Sequence, residues 1–379
     1  MNNNENQVRV RDETRERSPQ RSAPRSRVSS PTVAEVVVVT GACAGVGRAA
    51  ARAFARRGAR IGLIARDAEG LQATCRDVEA LGGEGLVCVA DVAHAAEVES
   101  VASMIEDRLG PIDIWVNNAM VTVVSPVADL APDEVKRVTE VTYLGTVNGT
   151  LAALRRMRPR NRGAIVQVGS ALSYRAIPLQ APYCGAKFAI RGFTDALRSE
   201  LLHDKSRIHV TMVQMPALNT PQFDWCRTHM EKSPRPVPPV YEPEVAAQAI
   251  VWAAHHRRRE LLVGESTVKA VWANKFFPGL LDRYLADFGY SSQGSARPVA
   301  PDRRDNLYEP VQGDFGARGR FDDESRTSSL QLLWTTHRTL ALVALAAVGG
   351  AALWLANARP SQPTSLAHTV SRPARRFFA

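Results

Sequence analysis

Val36-Val37-Val38-Val39-Thr40-Gly41-Ala42-Cys43-Ala44-Gly45-Val46-Gly47 decides how this chain is read. Four consecutive valines suit a short strand, and the lack of alternation with polar residues predicts that both of its faces are covered. Glycines at 41, 45 and 47 follow at once, before an Ala- and Arg-rich helical stretch over 46–57. Glycine permits the tight turn from strand to helix. It also lets the main chain approach a pyrophosphate at the helix N-terminus, where free N–H groups and the dipole favour anions. Such turns often do no more than join two elements, and it is the position in the first βα unit that gives this one weight.

The same rhythm continues downstream. Short apolar runs at Ile61–Ala65, Leu86–Ala90, Ile112–Val116, Ala164–Val168, His209–Val213 and Leu261–Val263 read as further buried strands. Helical stretches separate them, over 67–81, 94–109, 132–157, 180–203 and 242–256. Strand–helix alternation implies right-handed crossovers, hence an α/β Rossmann fold with a doubly wound, seven-stranded parallel sheet. One domain over 33–290 accommodates it. Within that span, the Pro-rich 216–241 segment and the amphipathic 266–288 stretch are candidates for covering a substrate.

The flanks differ in character. Residues 1–32 hold seven Arg against four acids and have no apolar segment, the composition of a disordered tail. Residues 291–330 read as a polar linker. Thr339 to Ala358 is a run of 20 residues without charge between Arg338 and Arg359, long enough to cross a bilayer, with Trp334 and Trp354 near its ends. It is therefore a candidate C-terminal apolar helix and membrane anchor, and 359–379 is a basic tail. The two tails contribute +3 and +4 of the net +10, leaving +3 for residues 33–356. A charge held in tails argues against a specific nucleic-acid groove and fits solvated ends. Five scattered cysteines without CxxC pairing point to a reducing compartment, such as the cytoplasm, and away from a disulfide framework or a structural zinc site.

The second strand ends in Ala65-Arg66-Asp67. An acid at that point suits the ribose hydroxyls of NAD, whereas a guanidinium suits the 2′-phosphate of NADP. Arg66 favours NADP(H); Asp67 beside it leaves NAD(H) open. With Asp91-Val92, Asn117-Asn118-Ala119, Ser170 and Tyr183-Cys184-Gly185-Ala186-Lys187 following in order, residues 34–264 resemble the short-chain dehydrogenase/reductase family. That resemblance implies a dinucleotide held by Gly41, Cys43, Ala44, Gly45, Val46 and Gly47 and by Arg66, Asp91, Val92, Asn118, Ala119, Pro216 and Thr220. Asp91 would meet the adenine, Thr220 the nicotinamide carboxamide and Lys187 the nicotinamide ribose, while Asn117 would steady the strand beneath. Catalysis falls to Ser170, Tyr183 and Lys187, with Thr142 in a proton relay, and the substrate to a carbonyl/alcohol pair, with the apolar stretches favouring a hydrophobic one. Similar proteins pair through the helices corresponding to 132–157 and 180–203, which implies a homo-oligomer.

The residue types fit this chemistry. A phenol titrates near 10, too high for easy proton exchange at neutral pH. Lys187 follows Tyr183 by four residues, on the same helix face, and its charge should favour the phenolate. Ser170 would hydrogen-bond the substrate oxygen as charge develops there. Three departures from the family pattern stand out: Met120 and Ala217 replace the usual glycines, and Thr142 replaces an asparagine of the proton relay. Thr142 keeps open a second reading, a dinucleotide-binding sensor or scaffold with impaired catalysis. His255-His256-Arg257-Arg258-Arg259 reads as a solvated helix end, because adjacent histidines diverge on a helix and no metal-ligand set completes them.

Overall fold

Val36 and Val38 pack on one side of their strand, Val37 and Val39 on the other, and all four are fully buried. This is why the run carries no polar alternation: helices cover both faces. The computed structural model describes residues 34–338, with positions 346, 349–351 and 354 beyond. Its centre is a seven-stranded parallel sheet of β1 (Val36–Thr40), β2 (Arg60–Ala65), β3 (Glu84–Val89), β4 (Ile114–Asn117), β5 (Ala164–Ser170), β6 (His209–Met215) and β7 (Glu260–Leu262). The strands lie in the order 3-2-1-4-5-6-7, with Val37 opposite Ile61 on one side and Ile114 on the other. The order reverses between β1 and β4, and the crevice beyond the carboxyl ends of those strands is where an open α/β sheet accepts a ligand.

One helical layer is α1 (Gly45–Ala55), α2 (Ala68–Ala80) and the later α7 (Pro243–His255), which bury Phe54, Leu71 and Ile250 against the sheet. The opposite layer is α3 (Ala95–Leu109), α5 (Gly145–Met157) and α6 (Ala181–His203), which bury Ile105, Met157 and Leu201. Each such side chain contributes about 1.5–3 kcal/mol on leaving water. The span expected as one helix over 132–157 is α4 (Pro132–Val138), a π-helical turn (Thr139–Leu144) and α5. The 266–288 stretch is likewise two helices, α8 (Glu265–Phe276) and α9 (Pro278–Phe288), because Pro278 cannot donate to the turn before it.

The polar stretch expected as a linker over 291–330 is packed against the sheet unit. Gly294–Pro298 pairs antiparallel with Lys232–Pro234, and Ser325–Arg326 joins Val240–Tyr241 in parallel. Leu307 is wholly buried, Phe321 and Ala317 nearly so. Few but well-placed apolar side chains anchor a sequence whose average composition is that of a solvated loop. A short helix, α10 (Leu330–Thr336), follows. The Arg-rich tail over 1–32, the basic tail over 359–379 and most of the candidate anchor over 339–358 lie outside the described residues. Among the described residues, no helix is long and apolar enough to cross a membrane.

Candidate active site

The turn after β1 is built by glycine. Gly41 has φ of +66° and Gly45 of +56°. A Cβ on Gly47 would lie 2.0 Å from the Gly41 carbonyl oxygen. Thr40 and Asn118 tie this turn to the end of β4. Asn118 Nδ2 donates to the Thr40 carbonyl at 2.9 Å, and the Asn118 and Ala119 N–H groups donate to Thr40 Oγ1 at 2.9 and 3.0 Å. Below them, Asn117 Oδ1 accepts from Trp115 Nε1 at 2.8 Å, while its Nδ2 donates to Thr150 and Gln167. This buried network is fully paired, which low-dielectric surroundings require. Ala44 caps α1 with no side-chain hydrogen bond, and the Val46 and Gly47 N–H groups have no acceptor among the described residues. Those are the donors that a pyrophosphate needs, so the residues present fit a dinucleotide.

Beyond the turn lies a cavity of about 260 Å³, with Ser170, Tyr183, Lys187, Pro216 and Thr220 in its wall. Ser170 ends β5, and its Oγ accepts from the Leu172 N–H at 3.1 Å, with Tyr183 in the same cavity wall. Lys187 stands one helical turn on from Tyr183, with Nζ donating to the Val168 carbonyl at 2.6 Å and lying 5.4 Å from the tyrosine ring centre. Val46 and Asn118 reach the same cavity. Gly41, Cys43, Ala44, Gly45 and Ala119 line an adjoining space of about 160 Å³, and Arg66, Asp91 and Val92 a third of about 100 Å³. Apart from Thr142, the residues expected from the sequence line these three spaces, with Gly47 against the Gly41 carbonyl in the turn.

The electrostatics differ from the sequence expectation. Burial pushes the Tyr183 phenol above its ordinary range although Ser170 beside it pulls the other way, and the same burial lowers Lys187 to about 7. Desolvation outweighs the mutual assistance inferred from i,i+4 spacing, since a charge in a dry cavity costs more than one partner returns. A stability consequence follows. Between about 7 and about 10.4 the unfolded chain keeps a proton on Lys187 that the folded chain has released. Wild-type stability relative to Lys187→Met should therefore fall as pH is lowered through that window. Urea melts of both proteins at several pH values check this, and a difference independent of pH would rule it out.

Two other expected residues have further partners. Arg66 donates through both terminal nitrogens, to the Tyr308 and Asn306 carbonyls at 2.5 Å each. Asp91 accepts from Arg137 at 2.5 Å, which holds its carboxyl below the usual carboxylate range although burial pulls the other way. Asp67, the alternative ribose ligand, instead caps α2 by accepting from the Glu69 and Gly70 N–H groups at 3.1 Å. Thr142 is set apart from the main cavity: its Oγ1 accepts from the Val121 N–H at 3.1 Å and donates to the Val121 carbonyl at 3.0 Å. Met120 lines all three spaces. Sequence reading missed Arg137, Trp225 and the 306–316 segment. The only sequence signal for that segment was its thinly spread Leu307, Val311 and Phe315. At the end of α7, His255 pairs with Glu35 at 3.0 Å and His256 stacks on Trp252.

Comparison with known proteins matches this architecture. Residues 35–230 match the family model for short chain dehydrogenase. The chain is 31% identical over 304 residues to the uncharacterized oxidoreductase YxnA of Bacillus subtilis, spanning 80% of this chain and 84% of that one. It is 35% identical over 171 residues to 3-dehydrosphinganine reductase of Danio rerio, covering 44% of this chain and 51% of the relative. A metagenomic short-chain oxidoreductase solved in complex with NADP superposes with a TM-score of 0.51 at 26% identity, over 60% of this chain and 96% of that one. The chain belongs to the short-chain dehydrogenase family. It is an oxidoreductase with a nicotinamide-dinucleotide-binding Rossmann fold.

Proposed function

We propose that this chain interconverts a carbonyl and an alcohol with NADP(H), using Tyr183 as the proton donor and acceptor. The convergence of Ser170, Tyr183 and Lys187 on one cavity continuous with the glycine turn carries this reading. The dinucleotide, when bound, supplies or accepts the hydride. The chain's own residues do the rest. Ser170 orients the substrate oxygen, and Tyr183 delivers a proton to it as charge develops. Lys187, poised near neutrality, becomes cationic when an anionic group enters and then favours the phenolate. Thr142, whose hydroxyl is spent on the Val121 main chain, is unavailable to a proton relay, and this is the observation that favours the second reading, a dinucleotide-binding sensor or scaffold with impaired catalysis.

Leu172, Ile177, Leu218, Phe223 and Val237 make the catalytic cavity largely apolar. Phe223, Pro236, Val237 and Pro238 come from the Pro-rich 216–241 segment, and Ser266 and Ala270 from α8. A hydrophobic ketone fits such walls, and the name of the Danio rerio relative, a dehydrosphinganine reductase, points the same way. Exposed Leu144, Leu151 and Phe188 on the π turn, α5 and α6 suit a homo-oligomer formed through that layer, which size-exclusion chromatography with light scattering would detect. Steady NADPH oxidation with an apolar ketone by the full chain tests the activity. Absence of turnover with every carbonyl offered, despite NADPH binding, would contradict it.

The preference for NADP(H) rests on Arg66, which keeps further N–H donors after bonding two carbonyls. Arg66→Ala should weaken NADPH about 10–100-fold and NADH much less, as befits a lost hydrogen bond to a charged group. Isothermal titration with both dinucleotides decides. An equal loss for both would leave Arg66 only a main-chain anchor.

A further inference from the structure

Residues 303–322 cross the crevice in front of the glycine turn, and the crossing is pinned along its length. Arg66 holds the Asn306 and Tyr308 carbonyls, and Arg137 Nε donates to the Leu307 carbonyl at 3.1 Å. Arg48, in α1, pairs with Asp314, and the Gly45 N–H donates to the Gly316 carbonyl at 3.1 Å. Further on, the Phe321 N–H donates to Asn219 Oδ1 at 3.0 Å, and Asn219 Nδ2 donates to Asp322 at 2.7 Å. Leu307 is wholly buried, and Phe315 meets the Trp225 ring edge-on at 4.6 Å. Beneath the crossing lie the two smaller spaces. Gly41, Cys43 and Ala119 line both from the sheet side; Asn306 lines both from the other side, and Pro310 and Val311 close the space by Arg66.

We infer that residues 306–316 form the outer wall of the dinucleotide site, so that the adenosine and pyrophosphate half is enclosed and exchanges only when this wall lifts. The inference rests on the dinucleotide reading above. An open Rossmann crevice has the glycine turn and strand ends on one side and water on the other. Here the water side is occupied by main chain tied to residues that themselves border the crevice: Arg66, Gly45 and, through Asp91, Arg137. The wall accepts these bonds through its own main-chain carbonyls and the Asp314 carboxylate, and since 306–316 contains no Lys or Arg it presents no cation of its own to the phosphates. Its effect is steric and dielectric. It excludes water from the crevice and strengthens the charge interactions within.

A barrier to both entry and exit has a kinetic signature that a simple contact lacks. Rates are read on the full chain by stopped-flow NADPH fluorescence, with association followed directly and dissociation by chase with excess NADP⁺. Leu307→Asp removes the buried anchor, and Asp314→Ala removes the ion pair to Arg48 and the hydrogen bond that Asp314 accepts from the Gly316 N–H. Both association and dissociation should quicken, about tenfold or more in Leu307→Asp and a few-fold in Asp314→Ala, since loss of a buried leucine is worth at least a decade. Faster dissociation with unchanged association in Asp314→Ala would make the segment an ordinary contact and overturn the wall. Wild-type rates in Asp314→Ala together with an unfolded Leu307→Asp would overturn it equally. Failure of the wild type to bind NADPH at all would instead remove the dinucleotide reading, and the wall with it.

Discussion

Tyr183→Phe is expected to lower kcat by about 10²–10⁴-fold, the range for loss of a positioned general acid, and to leave NADPH affinity nearly unchanged. The ring stays, with its packing and its 5.4 Å approach to Lys187 Nζ. Only the hydroxyl goes, and with it the phenolic proton donor that stands beside Ser170 and Lys187 in the wall of the catalytic cavity. Removing an interaction used in the transition state alone lowers kcat and kcat/KM together. Steady-state kinetics with an NADPH-binding titration separates the two effects. Turnover within a few-fold of wild type would exclude Tyr183 from the chemistry.

Gly47→Ala should be the most damaging single methyl in the chain. Its Cβ would sit 2.0 Å from the Gly41 carbonyl oxygen and 2.7 Å from Asn118 Nδ2. Neither atom can give way without moving the turn that the Thr40 and Asn118 hydrogen bonds fix. A loss of more than about 3 kcal/mol in stability is expected, along with the thermal shift that NADPH gives the wild type. Gly185→Ala is the control. Gly185 sits in α6, where an added Cβ meets nothing within 4 Å, so the change should stabilise by about 0.5–1 kcal/mol through helix propensity. Urea melts with and without NADPH measure both, and equal behaviour of the two variants would refute the steric account.

These contrasts show what the sequence could disclose. Strands buried on both faces leave an unbroken apolar signature, so Val36–Val39 and the other inner strands could be read one by one, while the edge strand β3 keeps Glu84 and Val89 exposed. The Tyr183–Lys187 spacing was equally legible, because i and i+4 share a helix face whatever surrounds them. Their proton affinities were not: burial depends on residues as distant as Val168 and Pro216, and it reverses the sign expected for the phenol. The 306–316 wall was invisible for a related reason. Apart from the Asp314 carboxylate its polar contacts are made by main-chain carbonyls that any sequence supplies, and its apolar contacts, buried Leu307 and Phe315 against Trp225, are too sparse to form a period. Asp67 and Asp91 show a further limit. Both are acids at strand ends; one caps a helix and the other pairs with an arginine 46 residues away.

The most direct measurement follows deuterium rather than absorbance. The full chain is supplied with NADPH deuterated on the transferred position of the nicotinamide C4 and with an apolar ketone, and the product is analysed by mass spectrometry. The account predicts an alcohol carrying the label on the former carbonyl carbon, with label transfer suppressed in Tyr183→Phe. Saturating NADPH binding with no label in any alcohol, whatever carbonyl is offered, would contradict it.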